Sequence, residues 1–115
     1  MATLSLSGAV QRSDSGSLVD LFMFSPTLAV TGDSVDTISI AAAGTHAVTL
    51  AGMTQVKFVV ISSDQQLTVT ATPTGGSGSA IKGKNILIDD TDLSGISLNN
   101  TSSSTATVRV LIGGS

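Results

Sequence analysis

The chain has 115 residues, a net charge of -3 and no cysteine, and only 11% of its residues are charged, against roughly 25% in an ordinary soluble domain. That length fits one domain with one core, and the absence of cysteine excludes disulfides and thiolate metal sites. Its five basic residues are scattered and it has no Trp or Tyr, so neither the basic stripe nor the stacking platform of a nucleic-acid binder is present.

Ala2 to Val10 alternates, with Leu4 and Leu6 on one face and Ser5 and Ser7 on the other, the period-two pattern of a strand. Gln11 to Ser17 is polar and turn-rich. It reads either as a joint, making residues 1–17 an arm able to pair with a neighbour, or as a loop inside one sheet. On the first reading the β-sandwich domain is 18–115. Leu18 to Phe24 (LVDLFMF) is apolar on both faces, so it is expected to be covered on both sides. Ser25-Pro26 breaks it, and Thr27 to Thr31 is a short run ended by the turn signal Gly32-Asp33.

Val35 to Ile40 and His46 to Leu50 read as two further strands around the small, turn-like AAAGT. Gln55 to Ile61 (QVKFVVI) is the most β-prone stretch. Val56, Phe58 and Val60 share one face, and Lys57, Val59 and Ile61 the other. Ser62 to Gln65 reads as a hairpin turn into Gln66–Thr72, where Leu67, Val69 and Ala71 point inward. Pro73 to Ser79 (PTGGSGS) is a flexible loop. Asn85 to Ile88 and Leu93 to Leu98 are short strands on either side of the acidic turn Asp89–Asp92, with a helical turn near Leu93 as an alternative. Asn99 to Ser104 is a turn, and Thr105–Ile112 alternates with Ala106, Val108, Val110 and Ile112 on one face.

The pattern predicts an all-β fold, an antiparallel β-sandwich or jelly roll of about 8–9 short strands without significant helix. All eight acidic residues are Asp and none is Glu, which suits turns rather than helix faces. Mean hydropathy is +0.42, yet no stretch reaches the ~20 apolar residues of a membrane helix. The first residues lack a basic region and an apolar run, which predicts cytoplasmic synthesis.

Little in the chain suggests catalysis. His46 is the only histidine, and zinc wants three or four His or Cys ligands. Asp89, Asp90 and Asp92 form the acidic cluster. They could contribute oxygens to a calcium ion, but no bidentate Glu follows, and capping of backbone N–H groups is the preferred reading. The Gly75–Gly78 stretch lacks the Lys-Ser/Thr ending of a phosphate loop. Asn99 and Asn100 both open glycosylation-like triplets and read as turn chemistry. The expectation is therefore no enzyme, no metal and no cofactor.

The stretches QLTVTATPTGG, ILIDDTDLSGISLNN and STATVRVLIGGS give the second half a recognisable texture. Residues 66–115 resemble small all-β virion proteins encoded among the structural genes of tailed bacteriophages. In those, an LTV-type strand leads through a Gly-rich loop to a final strand ending in LIGG. The resemblance implies a capsid decoration or cement protein, or another small head or tail component, synthesised in the host cytoplasm and resident in the virion. Its partners would be itself, a trimer being favoured, and a major capsid or other virion protein. The expected contact residues are Leu4, Leu6, Phe22, Met23 and Phe24. The alternative is a ligand- or glycan-binding module of a tail fibre or adhesin. Neither reading requires nucleic acid or a membrane.

Overall fold

Alternation along residues 106–112 builds the strand from which the sheet is easiest to follow. In a computed structural model, residues 2–14, 16–24, 27–30, 32–50 and 52–114 are described, with the backbone alone at 2, 9, 10, 14, 17–24, 27–30 and 89–91. The strands are β1 (Ala2–Ser5), β2 (Gly8–Asp14), β3 (Ser17–Phe24), β4 (Thr27–Val30), β5 (Gly32–Ile40), β6 (Thr45–Ala47), β7 (Val56–Pro73), β8 (Ser79–Asn100) and β9 (Ala106–Gly114). The fold is all-β, an antiparallel sheet nearly closed into a barrel-like sandwich, and five strands form its main sheet in the order β5–β9–β7–β8–β6.

The N-terminal residues form a hairpin of their own. Ala2 lies opposite Val30, Leu4 opposite Leu28, Gly8 opposite Phe24 and Val10 opposite Phe22, all in one register. The register shifts between Val10 and Gln11, and the hairpin tip contains Gly16 at a φ of 86°, a conformation that suits glycine. Residues 11–14, which read as loop or joint, are strand paired with β3, so the pairing runs across residue 17. The radius of gyration is 15.4 Å, against roughly 13 Å for a compact domain of this length. Strand pairs that stand away from the core account for such a difference.

The largest departure from the expected fold lies in β7 and β8, which are long rather than short. Ser62–Gln65 is not a hairpin turn. It is a bend inside one continuous 18-residue strand. The Ser63 hydroxyl donates to the Gln65 carbonyl (2.7 Å) and accepts from the Gln65 N–H (3.1 Å). Asp64 Oδ1 accepts the Thr107 N–H at 2.8 Å, tying the bend to the start of β9. The two halves of β7 therefore pair differently. Phe58 to Ser62 lie opposite Asp89 to Asn85, and Leu67 to Ala71 opposite Gly83 to Ser79, so these segments run in opposite senses. On their other sides, the first half meets β9, and Leu67 to Thr72 meet Asn100 to Gly95.

Likewise Asp89–Asp92 is not an isolated turn between two short strands. It lies inside the 22-residue β8, where the chain passes from the first half of β7 to the second. Leu93 lies opposite both Val56 and Pro73, so the two ends of β7 come together there. The helical alternative near Leu93 is replaced by strand. The Gly-rich connection, expected as a flexible loop over Pro73–Ser79, is a shorter turn at 74–78 between strand residues Pro73 and Ser79, opened by a Gly76 N–H to Pro73 carbonyl bond of 3.0 Å.

The core follows the inward periodicity. Ala106, Val108, Val110 and Ile112 of β9 pack with Val56, Val59, Ile61, Leu67 and Val69 of β7 and with Leu93, Ile96 and Leu98 of β8. Alternation fails at the end of β9, where Ile112, Gly113 and Gly114 are all buried, and in β7, where Phe58 and Val59 are both buried. A register shift between Val56 and Phe58 turns Val56, Val59 and Ile61 to one side and leaves Phe58 and Val60 on the other.

One polar side chain sits in this core. Asn100 is fully buried. Its Nδ2 donates to the carbonyls of Ile40 (3.0 Å), Ala41 (3.2 Å) and Ser104 (2.7 Å). Its Oδ1 accepts from the Ser102 N–H (3.0 Å) and hydroxyl (2.7 Å). Among the described residues, no buried side-chain nitrogen or oxygen lacks a partner. The nitrogen a glycan would occupy is thus already committed, so Asn100 is no acceptor in the folded chain.

The turn that Asn100 holds carries a local conflict. The Gly44 N–H donates to the Ala41 carbonyl at 2.8 Å, and Ala43 between them has a φ of 60°. That left-handed conformation costs an L-residue roughly 1–2 kcal/mol, while glycine loses more chain entropy on folding. Ala43→Gly is therefore expected to stabilise by about 0.5 kcal/mol, raising Tm by about 2–4 °C. Ala43→Val should lower it. A thermal melt that falls for both variants would show that the turn is not strained.

Candidate functional site

The candidate site is the outward face of the main sheet. Successive residues of a strand point to opposite faces, so every second residue of β5, β9, β7 and β8 faces away from the core. The register sets four apolar residues side by side. Val35 lies opposite Leu111, Leu111 opposite Val60, and Val60 opposite Leu87. The row crosses four strands and ends in Val35, 55% exposed, and Leu87, 41% exposed. The neighbouring row is polar: Thr37, Arg109, Ser62 and Asn85. On the other side Phe58 occupies the outward register, is only 1% exposed, and is not among the residues that pack the main core. The outward face is therefore covered at that end.

Two shallow hollows flank Val60. One, of ≈ 330 Å³, is lined by Val35, Val60, Ser62, Arg109, Val110 and Leu111. The second, of ≈ 340 Å³, is lined by Leu6, Val60, Ile61, Ser62, Asn85, Ile86 and Leu87. Leu6, in the break between β1 and β2, thus lines the hollow at the Leu87 end of the row. Both hollows are at the small end of ligand sites, and among the described residues neither lining contains an aromatic ring. Among the described residues of these linings, Arg109 supplies the single charge.

The other candidate residues fall elsewhere. Leu4 is half-buried on β1, opposite Leu28. Phe22, Met23 and Phe24 lie on β3 opposite Val10, Ala9 and Gly8, and their side chains are outside the described residues. His46 is half-buried on β6 opposite Leu98. The side chains of Asp89 and Asp90 are also outside the described residues, while Asp92 Oδ1 lies 3.7 Å from Lys57 Nζ in an exposed pair, of a kind that contributes ~0–1 kcal/mol. Among the described residues, no group of three or more His, Asp or Glu side chains is placed to hold a metal ion.

Sequence reading missed the apolar row, although each strand carries part of its signal. Residues 55–61 are apolar on both faces, Leu111 breaks the polar series begun by Thr107 and Arg109, and Leu87 stands between Ile86 and Ile88. What no single strand reveals is the register that aligns Val35, Leu111, Val60 and Leu87.

The chain was compared with protein families, curated proteins and solved structures. No family model matches it. No curated protein matches it significantly, and no solved structure does.

Proposed function

We propose that this protein is a structural subunit that associates with its own copies and binds a larger lattice, a virion component of the capsid-decoration kind found in tailed bacteriophages. The observation that carries the reading is the outward row Val35–Leu111–Val60–Leu87. It places apolar side chains across a sheet face in a chain with few charges to keep other chains away. The likeness of residues 66–115 to small phage virion proteins supports the choice of assembly. The work the protein does is then burial of aliphatic and hydroxyl-bearing surface between copies and against the lattice. A stable interface buries roughly 1,200–2,000 Å² in total.

Absolute molar mass in solution tests the first half of this reading. Light scattering with refractive-index detection suits a chain without Trp or Tyr. A closed oligomer is expected, a trimer of the 11.4 kDa chain being favoured. A monodisperse monomer at about 1 mM, a concentration at which even contacts worth only ~4 kcal/mol are half-formed, overturns self-association. Co-sedimentation with heads built from the major capsid protein of the same genome tests the second half. An oligomer that stays in the supernatant overturns the decoration role.

A further inference from the structure

The main sheet does not close completely, and its free edges differ from one another. β5 pairs with β9 on one side and with no described strand on the other. Among the described residues, 79–89, the first half of β8, pair with β7 and with no other strand. β6, the remaining edge, is three residues long. A long strand edge with unpaired N–H and C=O groups is a template for another strand. The large hydrophobic residues exposed among the described residues are Val35, Ile81 and Leu87, and all three sit on these two long edges.

Their charges are opposite. The charged residues of β5 are Asp33 and Asp36, both exposed, whereas residues 79–88 carry exposed Lys82 and Lys84 before Asp89 is reached. Pairing β5 with β5 would gather four carboxylates, and pairing 79–88 with its own copy would gather four ammonium groups. Like charges across a strand pair repel, and opposite charges attract. The edges are thus built against self-pairing and suited to one another.

We propose that a second copy of this chain is the partner, and that copies join head to tail, β5 of one adding beside residues 79–89 of the next. This rests on the reading of the protein as a self-associating subunit and assigns the contact. Strand sense agrees with it. β5, β9, β7 and residues 79–89 alternate in direction, so a β5 added antiparallel to 79–89 points the same way as the first copy's β5. Each copy is then related to the next by one repeated rotation, which yields a ring when the rotation closes. The join also brings the two ends of the outward row, Leu87 and Val35, to the same face of a continuous sheet.

Charge exchange tests the contact. Three variants are compared with the wild type by light scattering, each checked for folding by circular dichroism and thermal melting: Asp33→Lys/Asp36→Lys, Lys82→Asp/Lys84→Asp, and the fourfold combination. Both twofold variants are expected to fall to the 11.4 kDa of one chain, and the fourfold variant to recover the wild-type mass. Twofold variants that keep the wild-type mass overturn the contact while leaving self-association standing. Dissociation by the Asp changes alone overturns head-to-tail joining in favour of β5 meeting β5. A fourfold variant that folds but stays monomeric overturns the charge pairing. A wild type that is itself a monomer removes the self-association reading and the contact with it.

Discussion

Asn100→Ala is expected to lower unfolding free energy by about 3–5 kcal/mol, a large part of the roughly 5–15 kcal/mol that holds a domain of this size. The side chain is fully buried and bonds five backbone or hydroxyl partners. Its Nδ2 has two hydrogens for three carbonyls, so one is shared. Truncation removes that donor from the Ile40, Ala41 and Ser104 carbonyls, of which Ala41 keeps the Gly44 N–H and Ser104 the Ser102 hydroxyl, and it takes the acceptor from the Ser102 N–H. Each buried group left unpaired costs about 1–3 kcal/mol, and the cavity adds to that. Asn100→Asp keeps the shape but turns an acceptor toward the same carbonyls, so the carboxyl retains its proton in the folded state well above its ordinary pKa of about 3.9. The unfolded chain releases that proton first. Stability of this variant should thus fall as pH rises above about 4, until the folded form ionises too. Urea unfolding of both variants between pH 3 and pH 7 reads this out. A loss under 1 kcal/mol for the alanine, or an aspartate variant that gains stability with pH relative to the wild type, would remove Asn100 from its structural role.

Gly114→Ala should cost about 3 kcal/mol or more. Gly114 is buried at the end of β9, opposite Gly32 on β5 and Val56 on β7. A Cβ there would overlap the Gln55 carbonyl oxygen and stand only 3.0 Å from Val56 Cα. Overpacking costs typically 1–3 kcal/mol when side chains give way, and here the obstacle is backbone. Gly95→Ala is the control, because its Cβ would meet Thr72 Cβ at an ordinary 3.9 Å. That change should stay within about 1 kcal/mol of the wild type. Equal stability of the two alanine variants would show that the end of β9 shifts freely. If β5 leaves β9 when Gly114 is enlarged, oligomer mass should fall together with stability.

These two residues mark where sequence reading runs short. Asn100 stands in the polar run NNTSSS, indistinguishable by pattern from its exposed neighbour Asn99. Only the approach of the Ala41–Gly44 turn gives it partners. Gly114 reads as a chain-end glycine until Gln55 is found against it. The inward faces of β9 and of the second half of β7 were legible, since Ala106, Val108 and Val110, and Leu67 and Val69, alternate with polar residues and are buried. Where both faces are apolar, as at residues 56–61, alternation carries no information, and the register shift beside Phe58 could not be read. The outward row was hidden for the same reason, with its members spread over 77 positions from Val35 to Leu111.

Local chemistry by itself determined the class of this protein: β-branched and hydroxyl residues in period two, Asp without Glu, and glycine-rich turns permit strands and disfavour helices. It also determined the low charge from which an assembling subunit is inferred. The tertiary structure alone decided the joining of segments. Ser62–Gln65 and Asp89–Asp92 carry turn-forming residues, yet both lie within strands, because residues in or beside them, Ser63 and Leu67, and Asp89 and Leu93, are paired with neighbouring strands. A polar stretch makes a turn possible, but whether the chain reverses there depends on where the next hydrogen-bond partners are. Those partners lie far away in sequence, and so do the residues that decide which strand edges remain free.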